Sequence, residues 1–129
     1  NRIWVAPTAA FDDMRGRKPV HHPNLISLDR ALIPIHNSEG DWMLGIIDLQ
    51  TFRVHLEDST GQSRPERVQE LVRWISDEMH TDTSIWTVTE TGRARVTARL
   101  DTGVAMIADM MCVARGLDPT IIQRGLPRF

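Results

Sequence analysis

Pro34-Ile35-His36-Asn37-Ser38-Glu39-Gly40-Asp41-Trp42-Met43-Leu44-Gly45-Ile46-Ile47-Asp48-Leu49 is the stretch that decides the fold. From Trp42 to Leu49 the residues are almost continuously apolar, and Ile46 and Ile47 are β-branched. A short run of this kind reads as a strand, and one without alternation needs both faces covered by other elements. Just upstream, Ala31–Ile35 is a second short strand of the same buried type. Downstream, Asp48 begins a polar turn, and Arg53–Glu57 alternates polar with apolar residues, as the next strand of a hairpin does.

Outward from this centre, Ile3–Ala6 is short and apolar. Pro7-Thr8 opens a helix through Met14, with either residue suited to its start. Arg15–Asn24 contains Gly16, Pro19 and Pro23 and reads as a loop. Past the break at Asp58-Ser59-Thr60-Gly61, Val68, Leu71, Val72, Ile75 and Met79 recur at helical spacing. Pro65 suits the first turn of that helix, which runs to about Met79. Ser84–Thr89 reads as a further strand and Thr91–Leu100 as a loop. Asp101 is placed to cap a helix ending near Ala114 before Gly116, and Asp118-Pro119 starts a last short helix. Strands and helices interleave, which predicts a mixed sheet flanked by helices.

A chain of 129 residues makes one domain, 1–129, with a single modest core. With 41% hydrophobic and 25% charged residues it has the composition of a folded globular protein. A formal charge of -2 gives no global attraction to nucleic acid or anionic membrane. Two basic groupings, Arg15-Arg17-Lys18 and Arg93-Arg95-Arg99, read as solvated loop charge. The sole cysteine, Cys112, excludes an internal disulfide and fits a reducing, intracellular compartment, nuclear or cytoplasmic. No apolar run approaches the ~20 residues of a membrane span. The opening Asn1-Arg2-Ile3-Trp4 lacks both an initiator Met and the order of a signal peptide, so the chain reads as a piece of a longer protein.

The segment Pro34–Leu49 resembles the central strand of the Ulp-type proteases that act on SUMO and related ubiquitin-like proteins. Members read roughly Ile-Pro-Ile, a short loop, His-Trp, a small residue and Leu-Gly/Val-Ile-Ile-Asp. Arg53-Val54-His55-Leu56-Glu57-Asp58-Ser59 is similar to the family's next strand, which ends in Asp-Ser. Leu100-Asp101-Thr102-Gly103-Val104 is similar to Tyr-Asp-Cys-Gly-Val at the start of its central helix. Val5–Met14 and Asn24–Leu32 resemble the approach to the central strand, so the likeness covers nearly the whole chain. It implies an α+β, papain-like cysteine protease architecture from which the family's N-terminal helical portion is missing.

The resemblance also implies where catalysis would sit, and there the residues differ. Thr102 occupies the nucleophile position, Asp41 the general-base position before Trp42, and Asp58 the position of the orienting acid. The oxyanion-stabilising Gln has no counterpart between Thr91 and Leu100. A cysteine protease depends on an imidazole that lowers the thiol pKa, on a group that orients the imidazole, and on oxyanion donors. A threonine hydroxyl is a far weaker acid than a thiol, and an aspartate is a poor acceptor of its proton. No catalytic residue is therefore expected, and the three positions are vestigial.

Other candidates are weaker. Cys112 lies inside the proposed helix, ~15 Å along its axis from Thr102 at ~1.5 Å per residue, and reads as an inert core thiol. His36 and His55 read as surface histidines flanking the central strand. His21-His22 lacks a third ligand at defined spacing, so no metal and no cofactor is expected. Trp42 has two readings: a core aromatic, or, as the resemblance implies, part of a channel that binds a ubiquitin-like tail with Asp58 and Gly103. Trp74 and Trp86 read as core, and the Met79 and Met106–Met111 methionines as core filling. Trp4 reads as packing on a missing portion or a partner.

Three functions follow. The first is an inactive interaction or scaffold module bound to another protein subunit or to its own copies. The second is a non-cleaving binder of SUMO or another ubiquitin-like protein. The third is a residual peptidase using Thr102 or a displaced histidine. None involves a membrane or direct nucleic-acid binding.

Overall fold

The computed structural model describes residues 2–36, 40–58 and 65–91, together with Met106, Ile107, Met110, Met111 and Val113. Five strands form one sheet in the order of the sequence: β1 (Ile3–Val5), β2 (Arg30–His36), β3 (Trp42–Asp48), β4 (Arg53–Asp58) and β5 (Thr87–Thr91). The β2–β3 and β3–β4 pairs are antiparallel, whereas β1–β2 and β4–β5 are parallel. Each parallel pair is joined through a helix, α1 (Ala10–Arg15) in the first and α2 (Pro65–Met79) in the second. The sheet is therefore mixed, with two crossovers around an antiparallel centre, and the fold is α+β.

This topology explains where the helices lie. β1, β2, β4 and β5 point the same way, and both crossovers step in the same direction across the sheet. Parallel crossovers are overwhelmingly right-handed, so both helices belong on one face. Phe11 and Met14 of α1 accordingly share a core with Val68, Leu71, Val72 and Ile75 of α2, over Ile33, Ile35, Met43, Ile47, Val54 and Leu56 of the sheet. Arg73 of α2 ties the layer together: it donates to the Met14 carbonyl at the end of α1 and pairs with Glu70 at 3.0 Å.

The opposite face carries a second core of Leu32, Leu44 and Ile46 under the helical residues Met106 and Val113. The Val113 carbonyl accepts a bond of 3.2 Å from Arg30, which also lies 3.8 Å from Asp48. β3 is thus covered on both sides, as its unbroken apolar run requires: Met43 through Ile47 are all buried. Gly45 is part of that fit, because a Cβ there would come within 2.8 Å of Leu71 Cδ1.

Local chemistry sets the element ends. At the β3–β4 turn Asp48 Oδ1 accepts from the amides of Gln50, at 3.0 Å, and Thr51, at 3.1 Å. Phe52 then takes a left-handed φ of 56° and sets its ring 5.3 Å from Trp86. α2 ends without a glycine: His80 adopts φ 54° and the Thr81 amide donates to the Ser76 carbonyl at 3.0 Å, closing a Schellman-type cap.

Most sequence expectations hold, and α2 keeps its expected bounds. Four are corrected. Thr8 and Pro7 do not begin α1: the Ala10 amide closes a turn on the Pro7 carbonyl at 3.0 Å, and the cap residue is Ala9, without a side-chain bond. The strand expected from Ser84 starts at Thr87, because Thr83–Ile85 forms a 3-10 turn whose Ser84 amide donates to Asp82 at 2.9 Å. Those bonds from the Ser84 backbone and hydroxyl hold the Asp82 carboxyl below the ordinary range. Trp4 packs within the chain, its ring 6.4 Å from that of Trp74 and 6.1 Å from that of His22. Thr91, expected to open a loop, instead ends β5, and residues 92–100, the Asp101 cap and the helix after Asp118 lie outside the described residues.

Gly45→Ala is expected to destabilise the protein by about 1–3 kcal/mol through overpacking against Leu71. Because Leu71→Ala removes the clashing methyl, urea denaturation of the double variant should show a loss at least ~0.5 kcal/mol smaller than the sum of the single losses. On the same helix, Ile75→Ala should cost about 2–4 kcal/mol, whereas the exposed Gln69→Ala should change stability by no more than about 0.5 kcal/mol.

Candidate functional site

The end of the β2–β3–β4 meander positions the residues singled out in the sequence. His36 pairs with Trp42, and Met43 pairs with Asp58. Asp41 directly precedes β3 and Asp58 closes β4, so the hairpin register brings both to the same end of the sheet. Gly40 precedes Asp41 at φ 91°, a left-handed conformation that suits glycine at the entry to the strand. Both carboxylates are deep: Asp41 is 4% exposed and Asp58 2%.

Trp42 is half-buried and packs on the Leu32–Leu44–Ile46 core. Its ring lies 4.5 Å from that of His36, tilted by 38°. The core reading of Trp42 therefore holds in part, because the residue packs on the core and stays partly accessible. Trp74 and Trp86, at 4% and 5% exposure, are core residues as expected.

Thr102, Gly103 and Cys112 lie outside the described residues. Val113 is tied to Arg30. Arg30 faces Asp48 at the far end of the β2–β3 ladder from His36 and Trp42.

The histidines follow the sequence reading only in part. His36 is exposed at the end of β2, as a surface histidine. His55 is no plain surface histidine: its Nε2 lies 2.6 Å from Glu57 Oε1 and its Nδ1 2.5 Å from Thr89 Oγ1. His22 is fixed by the Pro23 carbonyl at 2.7 Å and Glu78 at 3.3 Å, edge-on to Trp74. Among the described residues no three His, Cys, Asp or Glu side chains are grouped to hold a metal ion, and no helix is long and apolar enough to cross a membrane. The His55–Glu57 half of this array was legible in principle, since residues two apart on a strand share a face. Thr89 carried no such signal, because its approach depends on the parallel pairing of β4 with β5.

No protein-family model matches the sequence, and no curated protein matches it. Solved structures do. The catalytic domain of the Chaetomium thermophilum Ulp1-like SUMO protease is similar at 23% identity and a TM-score of 0.74, over 92% of this chain and 52% of that one. SUMO protease Ulp1 with its catalytic cysteine oxidised to a sulfinic acid aligns at 14% identity and a TM-score of 0.76, over 91% of this chain and 59% of that one. The C-terminal Ulp1 protease domain in complex with Smt3, the yeast ortholog of SUMO, aligns at 14% identity and a TM-score of 0.74, with the same coverage. The chain thus spans about half the length of the structures it matches. At these identities the likeness establishes the fold: a mixed-sheet α+β domain of the Ulp-type cysteine protease architecture.

Proposed function

We propose that this chain is a catalytically inactive Ulp-type domain that works as a protein-interaction or scaffold module inside the cell, in the nucleus or cytoplasm. The observation that carries this reading is Asp41, a carboxylate buried directly before Trp42 at the end of the sheet that also holds the buried Asp58. Thiol chemistry needs an imidazole beside an orienting acid, and a second acid cannot replace it. The similar Ulp1 structure has a catalytic cysteine, whereas the sole cysteine of this sequence, Cys112, stands ten residues past the nucleophile position. Thr102 in the nucleophile position supports the same conclusion. A fluorogenic SUMO-tail substrate is expected to be turned over no faster by the wild-type chain than by Thr102→Ala; hydrolysis abolished by that substitution would overturn the reading. Light scattering is expected to report a mass above that of the monomer, or a stable complex with another subunit. A monodisperse monomer that captures no partner would count against the scaffold role.

A second reading, a non-cleaving binder of SUMO or a relative, is favoured by the similar Ulp1 domain in complex with Smt3 and by the partial exposure of Trp42. Titration with SUMO, followed by amide NMR, is expected to shift Gly40, Asp41, Trp42 and Met43 first. An unchanged spectrum at millimolar SUMO would end this reading.

A further inference from the structure

β4 carries a second set of polar side chains, on the face opposite Asp58. Val54, Leu56 and Asp58 point one way along the strand, and His55 and Glu57 the other. Glu57 is paired with Leu44 and His55 with Ile46, so both side chains stand on the face that bears the second core. The Glu57 side chain is 3% exposed and that of His55 25%. Across the parallel pairing His55 meets Thr89, which is exposed.

The hydrogen bonds constrain the proton positions. An ionised carboxylate only accepts, so across the 2.6 Å contact the imidazole Nε2–H donates to Glu57. In the neutral imidazole Nδ1 then carries a lone pair, to which the Thr89 hydroxyl donates across the 2.5 Å contact. This is the division of labour of an activated nucleophile: a hydroxyl, a base that receives its proton, and an acid that orients the base. A buried carboxylate is costly unless it is paired, which ties Glu57 firmly to the imidazole.

We propose that Thr89, His55 and Glu57 form an acyl-accepting site, distinct from the Asp41–Asp58 end of the sheet, whose substrates are small acyl donors with good leaving groups. The three side chains do not supply oxyanion stabilisation, which restricts the class to activated esters and thioesters. In the reaction Thr89 Oγ1 bonds to the acyl carbon and its proton passes to His55 Nδ1. The bond from carbon to the aryloxide or thiolate breaks, and that leaving group departs with the proton from Nδ1. The products are an acyl ester of Thr89 and a free phenol or thiol; no redox change occurs. His55 acts as general base and Glu57 as the positioning residue.

Acetylation by 4-nitrophenyl acetate, mapped by peptide mass spectrometry, tests this on the whole chain. Thr87 is the internal control, being exposed on the same strand and opposite Arg53 instead of an imidazole. Thr89 is expected to acetylate at least ten times faster than Thr87, and to fall to the Thr87 rate in His55→Gln. Equal labelling of the two threonines, or Thr89 labelling unchanged by His55→Gln, would refute the site. Should His55→Gln fail to fold, long-range 1H–15N NMR of the wild-type chain gives an independent answer. A hydrogen on Nε2 of His55 supports the assignment, and a hydrogen on Nδ1 overturns it.

Discussion

The burial of β3 on both faces governs the rest of the molecule. A strand with no solvent side must be met by apolar surface above and below, each large aliphatic side chain contributing roughly 1.5–3 kcal/mol when fully buried. α2 meets it on one side through Leu71 and Ile75, and the helical residues Met106 and Val113 meet it on the other. Gly45 allows the closest approach, leaving the space that Leu71 occupies. With β3 held in this way, its neighbours β2 and β4 are fixed in register, and the parallel strands and their crossover helices can be added only at the margins.

The same burial concentrates charge. Asp41, Glu57 and Asp58 are all withdrawn from water near one end of the β3–β4 ladder, although acidic side chains are rarely fully buried in proteins. Glu57 is compensated by His55 from its own strand. Asp41 and Asp58 lie together at one end of the sheet, both deeply buried. The two faces of β4 therefore differ in chemistry: Asp58 stands on one, and on the other an imidazole lies between a buried acid and a hydroxyl.

Much of the architecture was readable because its signals are local. The unbroken run in β3, the alternation in β4 and the spacing of Val68, Leu71, Val72 and Ile75 each span only a few turns or residues. The errors arose where a contact replaced a rule. Thr8 lost its capping role to a backbone turn on Pro7, and Ser84 was drawn into a turn by the Asp82 carboxylate. Trp4 found its partners, His22 and Trp74, far along the chain.

Order and type of the elements, the sandwiching of the central strand, and the acid before Trp42 were determined by the sequence itself, since periodicity and residue identity are properties of short segments. Which side chains meet was decided only in three dimensions. His55 and Thr89 are separated by 34 residues and touch because a right-handed crossover sets β5 parallel beside β4. Asp41 and Asp58 share one end of the sheet because hairpin register aligns them. Proximity of this kind follows from strand pairing, which no local pattern encodes.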